Sequence, residues 1–262
     1  MPRDIVYFDL ETQRTANDAG GWDRKCNMRM SVGVVFSTTT GKYQVFSEER
    51  VNELIERLDI SEERLKKWHD VIEKIYLHVE ASGLIEQFEG YYKRKAIDLA
   101  ALEPRTRSAQ EIFGIEGCNE TQILKQPDVL MLQYILRDHY SDESVRVNYD
   151  YYQPRTDHTY GSSLGPSIMA IMACDVGKPD DAYEHFIRAV RADLRDVRGN
   201  ARDGIHAASA GGTWQAVVFG FGGLRVNPEG WTTNPRLPHH WKRLSFKFFY
   251  RGKMQEVDIR GH

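Results

Sequence analysis

Hydrophobic and polar positions change their spacing along the chain, and each change marks a different kind of element. Ile5-Val6-Tyr7-Phe8 is a β-type run, Met30 to Phe36 is a second, and Tyr43-Gln44-Val45-Phe46 is a third, entered through a turn at Gly41. Val51, Leu54, Ile55 and Leu58 then recur at helical spacing, so this part reads as a β-hairpin followed by a helix. Beyond residue 60 the period is mostly helical. Leu65, Trp68, Ile72 and Ile75 form one amphipathic face, with Ser61 as the N-cap. Lys125 to Asp138 is dense enough in apolar residues to predict a buried helix. Pro166 and Pro179 sit where the first turn of a helix tolerates proline, and Gly177 suits the C′ position between the two helices. The second of these is expected to bury Tyr183, Phe186, Ile187, Val190 and Leu194 on one side. Residues 139 to 161 read as a long irregular loop. From Leu244 the period becomes two, turns at Arg251-Gly252, and resumes from Met254 to Ile259 as a β-hairpin.

Composition narrows the class. The 262 residues leave room for one large domain or two modest ones. A formal net charge of −3 gives no bulk positive field for nucleic acid or an anionic membrane. The three cysteines, Cys26, Cys118 and Cys174, have neither metal-ligand spacing nor a disulfide pattern, which points to a reduced, cytoplasmic setting. Met1-Pro2-Arg3-Asp4 leads into a strand-like run without the pattern of a secretory leader. The longest apolar runs, near 168–174 and 216–224, fall short of the roughly 20 residues that span a membrane.

Two stretches carry the chemistry. In Asp203 to Trp214, small residues surround His206, and Gly211-Gly212 follow it. Glycine and alanine let backbone N–H groups approach an anion closely, and the positive end of a helix adds to the attraction. In Thr159 to Pro166, the paired hydroxyls of Ser162 and Ser163 stand just before a proline-started helix. Together they suggest a phosphate site. Taken singly, the two serines could equally cap the following helix, and His206 could be a structural histidine.

Asp9 and Glu11 alternate on the first strand, so both point to one face, where a divalent metal would neutralise them. Phe8-Asp9-Leu10-Glu11-Thr12, with Gly20-Gly21-Trp22 and Met30-Ser31-Val32-Gly33, resembles the first motif of 3′–5′ exonucleases with an RNase H-like fold. That resemblance implies magnesium at Asp9 and Glu11. It covers residues 4 to 57, and the further aspartates of that family do not follow.

In the remainder, the blocks Gly83 to Tyr91, Lys125 to Val129, His158 to Leu164, Gly204 to Ala208 with Gly211 to Trp214, and Phe219 to Leu224 follow one another in a specific order and spacing. By these blocks it resembles glycoside hydrolase family 65, the maltose, trehalose and kojibiose phosphorylases. The resemblance implies a mainly α fold: a partial (α/α)6 toroid over 59–224, the start of a β domain over 225–262, and a short α/β exonuclease-like fragment over 1–58. It implies inverting phosphorolysis of an α-linked glucose disaccharide, with inorganic phosphate as a substrate and no cofactor. Lys125 and Gln126 fall on the family's sugar-binding pair. Ser162, Ser163 and His206, with backbone donors near Gly211 and Gly212, fall on its phosphate pocket. No membrane or nucleic-acid partner is expected, and a homodimer is left open. The block that supplies the family's general-acid glutamate has no counterpart, so little activity is expected of this chain alone. Glu86 and Glu89 lie in a matched block, but not in that one. A metal-dependent nuclease, a phosphate- or sugar-binding remnant, and a hydrolase related to acid trehalase are the alternatives.

Overall fold

The computed structural model describes residues 6–12, 30–196, 199, 201–227 and 230–261. Gly20-Gly21-Trp22, Cys26 and the side chains of Asp9 and Glu11 lie outside the described residues. The chain forms two compact units, Met1–Ile75 and Tyr76–His262.

The first unit is an antiparallel sheet in the order β1 (Val6–Thr12), β2 (Met30–Ser37), β3 (Lys42–Phe46), followed by α1 (Val51–Arg57). The hairpin turns at Gly41, where φ is +64°. Val35, Phe46 and Leu54 meet as a small core with Leu58 against it, so the expected strands and helix are present. In α2 (Glu62–Lys74), the Ser61 hydroxyl accepts the Arg64 N–H at 3.2 Å, as the cap reading requires. Its apolar face, Trp68, Ile72 and Ile75, stands exposed.

The second unit is built on helices. They are α3 (Ala109–Asn119, broken at Gly114), α4 (Asp128–Ile135), α5 (Asp142–Tyr152), α6 (Gly165–Asp175), α7 (Pro179–Val190), α8 (Ala192–Arg195) and α9 (Ala207–Gln215). A π-helical segment, Ala216–Phe221, continues α9. Two hairpins close the chain: β4 (Leu224–Asn227) with β5 (Gly230–Thr233), and β6 (Arg243–Tyr250) with β7 (Lys253–Arg260). The last hairpin pairs Tyr250 with Lys253 and turns through Arg251 and Gly252 as expected, both at positive φ.

Helix α6 is the centre of the core. Ile168 to Cys174 are all at most 3% exposed, and Leu130, Tyr149, Tyr152 and Phe221 pack in the same cluster. Pro166 lies in its first turn, Pro179 starts α7, and Gly177 takes φ +78° between them, as the sequence suggested.

Three expectations need correction. Residues 139–161 are not an irregular loop, because α5 occupies 142–152. Ser141 caps that helix, and its buried face is Val145, Asn148, Tyr149 and Tyr152. The polar members hide it from a hydrophobic period. Asn148 accepts the Ile85 N–H at 3.0 Å and donates to the Gly83 carbonyl at 2.8 Å, so burial leaves its amide satisfied. The apolar run in α4 is buried on one side only, at Val129 and Leu130, and Ile135 is exposed. In α7 the innermost residues are Ala182, His185 and Ala189, whereas Leu194 stands exposed on the separate α8. Small side chains let α7 lie close against α6, and the larger Tyr183 and Phe186 fill the margins.

Candidate functional site

The segment from Leu124 runs beside the one from Arg155, and this pairing holds the site together. Leu124 N–H donates to Arg155 O at 2.8 Å, Asp157 N–H to Leu124 O at 2.8 Å, and Ser162 N–H to Lys125 O at 2.7 Å. Lys125, expected from the sequence to hold sugar, is thus tied through backbone to the first of the paired serines. Gly161 makes this possible. A Cβ there would stand 2.1 Å from Asp157 O and 2.5 Å from Lys125 O, so no other residue fits.

Asp157 fastens the turn that follows. Its carboxylate accepts N–H groups from Thr159 at 3.1 Å and Tyr160 at 2.9 Å. Arg105 grips the same carboxylate with both terminal nitrogens, at 2.9 Å from Nη1 and closer still from Nη2. Both side chains are 5% exposed. Burial works to raise the Asp157 pKa. The Arg105 and backbone hydrogen bonds outweigh it and hold the carboxyl below its ordinary range.

Lys125 is exposed and lines a cleft of about 380 Å³ with Ser108, Gln110, Asn119 and Tyr160. The Gln126 amide donates to Asp128 Oδ1 at 2.8 Å, and Gln87 donates to the other oxygen at 3.1 Å. The Ser162 hydroxyl accepts the Leu164 N–H at 3.3 Å, so it also serves the local turn before α6.

His206 is the N-cap residue of α9. Asp193 on α8 accepts from the His206 backbone N–H at 2.9 Å and makes a short contact with Nδ1 of its ring. That arrangement fixes the imidazole and leaves the tautomer to the carboxylate. Gly211 and Gly212 lie in the second turn of α9, past the four N–H groups that a helix leaves without partners. Gly212 packs on α6 instead, where a Cβ would stand 2.2 Å from Ser167 Oγ. Gly220 packs further along α6, on Ile171. The two contacts run in the same direction, so α6 and the α9 segment lie parallel. The Ser162-Ser163 turn and His206 therefore stand at the same end of the helix pair.

A cavity of about 460 Å³ opens at the Thr159–Pro166 side, lined also by His158, Arg188, Arg191 and Arg195. The sequence reading missed these arginines, although their i, i+3, i+7 spacing places them on one helical face. His158 lies edge-on to His185 with ring centroids 4.6 Å apart. Burial pushes His158 down to about 4.

Glu86, left without a role by the sequence, is a structural carboxylate. It accepts the Tyr76 hydroxyl and, at 3.1 Å, the Tyr92 N–H. Among the described residues no helix is long and apolar enough to cross a membrane.

Comparison with known proteins gives the family. Residues 30–215 match the glycosyl hydrolase family 65 central catalytic domain, and residues 224–262 match the family 65 C-terminal domain. Kojibiose phosphorylase from Caldanaerobacter subterraneus subsp. tengcongensis is 42% identical over 206 residues, which is 78% of this chain and 26% of that protein. Alpha,alpha-trehalose phosphorylase from Thermoanaerobacter brockii is 34% identical over 212 residues, covering 80% of this chain and 27% of the relative. A solved structure of a candidate kojibiose phosphorylase from human microbiome superposes with a TM-score of 0.70 at 29% identity, over 79% of this chain and 29% of that one. The chain thus spans about a quarter of the length of the curated relatives it matches. The catalytic-domain match begins at residue 30, inside the stretch read as exonuclease-like, and that reading gains no support from these matches. A helical body carrying the family's motif blocks, followed by a small sheet, makes this chain a member of glycosyl hydrolase family 65.

Proposed function

We propose that this chain carries the phosphate and sugar walls of an inverting α-glucoside phosphorylase, which splits a glucose disaccharide with inorganic phosphate into a sugar 1-phosphate. Its helices would form part of an (α/α)6 toroid. Ser162, Ser163 and His206 hold phosphate in this reading, and Lys125 and Gln126 hold glucose hydroxyls. The observation that carries it is the parallel packing of α6 and α9, which sets the paired hydroxyls and the Asp193-held imidazole at one end. The amides that face that end belong to Ala208 and Ser209, with Gly212 packed on α6 behind them and Gly211 exposed. Hydroxyls and an imidazole suit a dianion that must also attack, because a grip favouring the ground state would slow the reaction.

Inversion also needs a carboxylic acid to protonate the leaving oxygen. The block that supplies the family's acid has no counterpart here, and Asp157, Asp193 and Asp128 are engaged by Arg105, His206 and two glutamine amides. The acid is therefore not assigned to this chain, and the expected outcome is phosphate binding with little turnover. Phosphorolysis needs no metal or organic cofactor, and the cytoplasm is the setting we infer. Titration calorimetry with inorganic phosphate should show binding that His206→Ala weakens by about tenfold or more, a loss of about 1.4 kcal/mol. Equal affinity in the two proteins refutes the assignment. Release of glucose 1-phosphate from kojibiose or trehalose by the chain alone, at a rate of about 1–1000 per second as for an ordinary enzyme, refutes the missing acid.

A further inference from the structure

Asp180 lies in the first turn of α7, while His239 and His240 lie in the segment between β5 and β6. Asp180 Oδ1 is 2.8 Å from His239 Nδ1 and 3.2 Å from the His239 backbone nitrogen. One ligand atom from each of Asp180, His239 and His240 lies within 4.8 Å of the other two. Among the described residues this is the single group of three or more histidine, cysteine or acidic side chains so placed. His240 stands edge-on to Tyr183 at 4.3 Å between centroids, and the two histidine rings are 5.1 Å apart.

We propose that Asp180, His239 and His240 form a surface site for a divalent transition-metal ion of the zinc class. Bonds of about 2.0–2.1 Å need ligand atoms about 3.3 Å apart in a tetrahedral arrangement. All three side chains are exposed, which leaves rotation open as the way to close that gap. Asp181 adds a second negative charge in the same helical turn, and Lys178 is drawn away to Asp150 at 2.7 Å. Two imidazoles with one carboxylate suit zinc or nickel, whereas calcium and magnesium prefer all-oxygen sites. Three protein ligands leave the fourth position to water. A bound ion would clamp the start of α7 to the segment that leads into the terminal hairpin, and would therefore stabilise the fold.

The test uses the full chain without a polyhistidine tag. Zinc chloride titrated into it near pH 7.5 should bind at one ion per chain, with calcium giving no heat at the same concentrations. His239→Ala and His240→Ala should each weaken zinc binding by about tenfold or more. Zinc should raise the unfolding temperature of the wild-type chain and leave that of the double variant unchanged. Both positions are exposed, and an unaltered far-UV spectrum will show that the variants fold. Absence of stoichiometric zinc binding overturns the proposal. So does binding that survives unchanged in the double variant, because the ion then sits elsewhere.

Discussion

Removing Arg105 should cost this fold far more than removing any surface arginine. Arg105 and Asp157 are each 5% exposed, and the guanidinium spans both carboxylate oxygens. Arg105→Ala leaves a buried carboxylate with only the Thr159 and Tyr160 amides for company. Breaking a buried pair in this way costs about 3–5 kcal/mol. By contrast, the Arg105–Glu103 contact, with Glu103 42% exposed, contributes at most about 1 kcal/mol. For a chain of this size the loss lowers the unfolding temperature by about 6–20 °C. Arg105→Lys keeps the charge but loses the two-pronged grip, and should fall between wild type and alanine. The acid limb offers a second readout. The folded Asp157 carboxyl titrates below its unfolded value near 3.9, so its contribution is complete above that pH and disappears as the pH falls through the folded pKa. Urea unfolding at pH 7 and at steps from pH 4 to 2 measures both effects. A loss under about 1 kcal/mol at pH 7 for Arg105→Ala refutes the argument.

Two further outcomes follow from the packing. Gly212→Ala drives a methyl group to 2.2 Å from the buried Ser167 hydroxyl and should cost about 1–3 kcal/mol, whereas Gly211→Ala meets nothing within 4 Å. Gly211→Ala should gain up to about 1 kcal/mol in helix propensity, and thermal melts that rank the two variants the other way count against parallel packing of α6 and α9. Burial keeps His158 and His185 neutral, pushing His158 down to about 4 and His185 lower still. Unfolded imidazole takes up protons below about pH 6.5, so stability should fall as the pH drops from there, by up to about 1.4 kcal/mol per unit for each ring. His185→Phe should flatten that slope in urea titrations between pH 7.5 and 5, and an unchanged slope refutes the assignment.

Elements whose character is carried by residue type were legible in the sequence. The Ser61 cap, the prolines opening α6 and α7, and the Arg251-Gly252 turn all depend on a few neighbouring residues. Helix α5 was not legible, because Asn148 and Tyr152 on its buried face satisfy partners more than sixty positions away. The same logic divides the candidate site. The serines and His206 announce themselves locally. Their supports do not: Arg105 reaches Asp157 across 52 positions, and Asp193 reaches His206 across 13. Arg188, Arg191 and Arg195 did carry a signal in their spacing, but charge runs on a helix usually mark a solvated face.

The eight residues 216–223 fall between the two family matches, where a polar, exposed linker would be the ordinary expectation. Here they are interior. Ala216 and Phe221 are 0% exposed and Val218 is 1% exposed. Gly222 leaves room for the Phe246 ring of β6, which would otherwise meet a Cβ at 2.7 Å. The Phe219 carbonyl accepts Arg225 of β4 at 2.8 Å. The terminal hairpins and the helical body thus share one interior through this stretch. A chimera spliced at the family boundary would divide that interior between two parents. The terminal hairpins should therefore be exchangeable between relatives only together with residues 216–223.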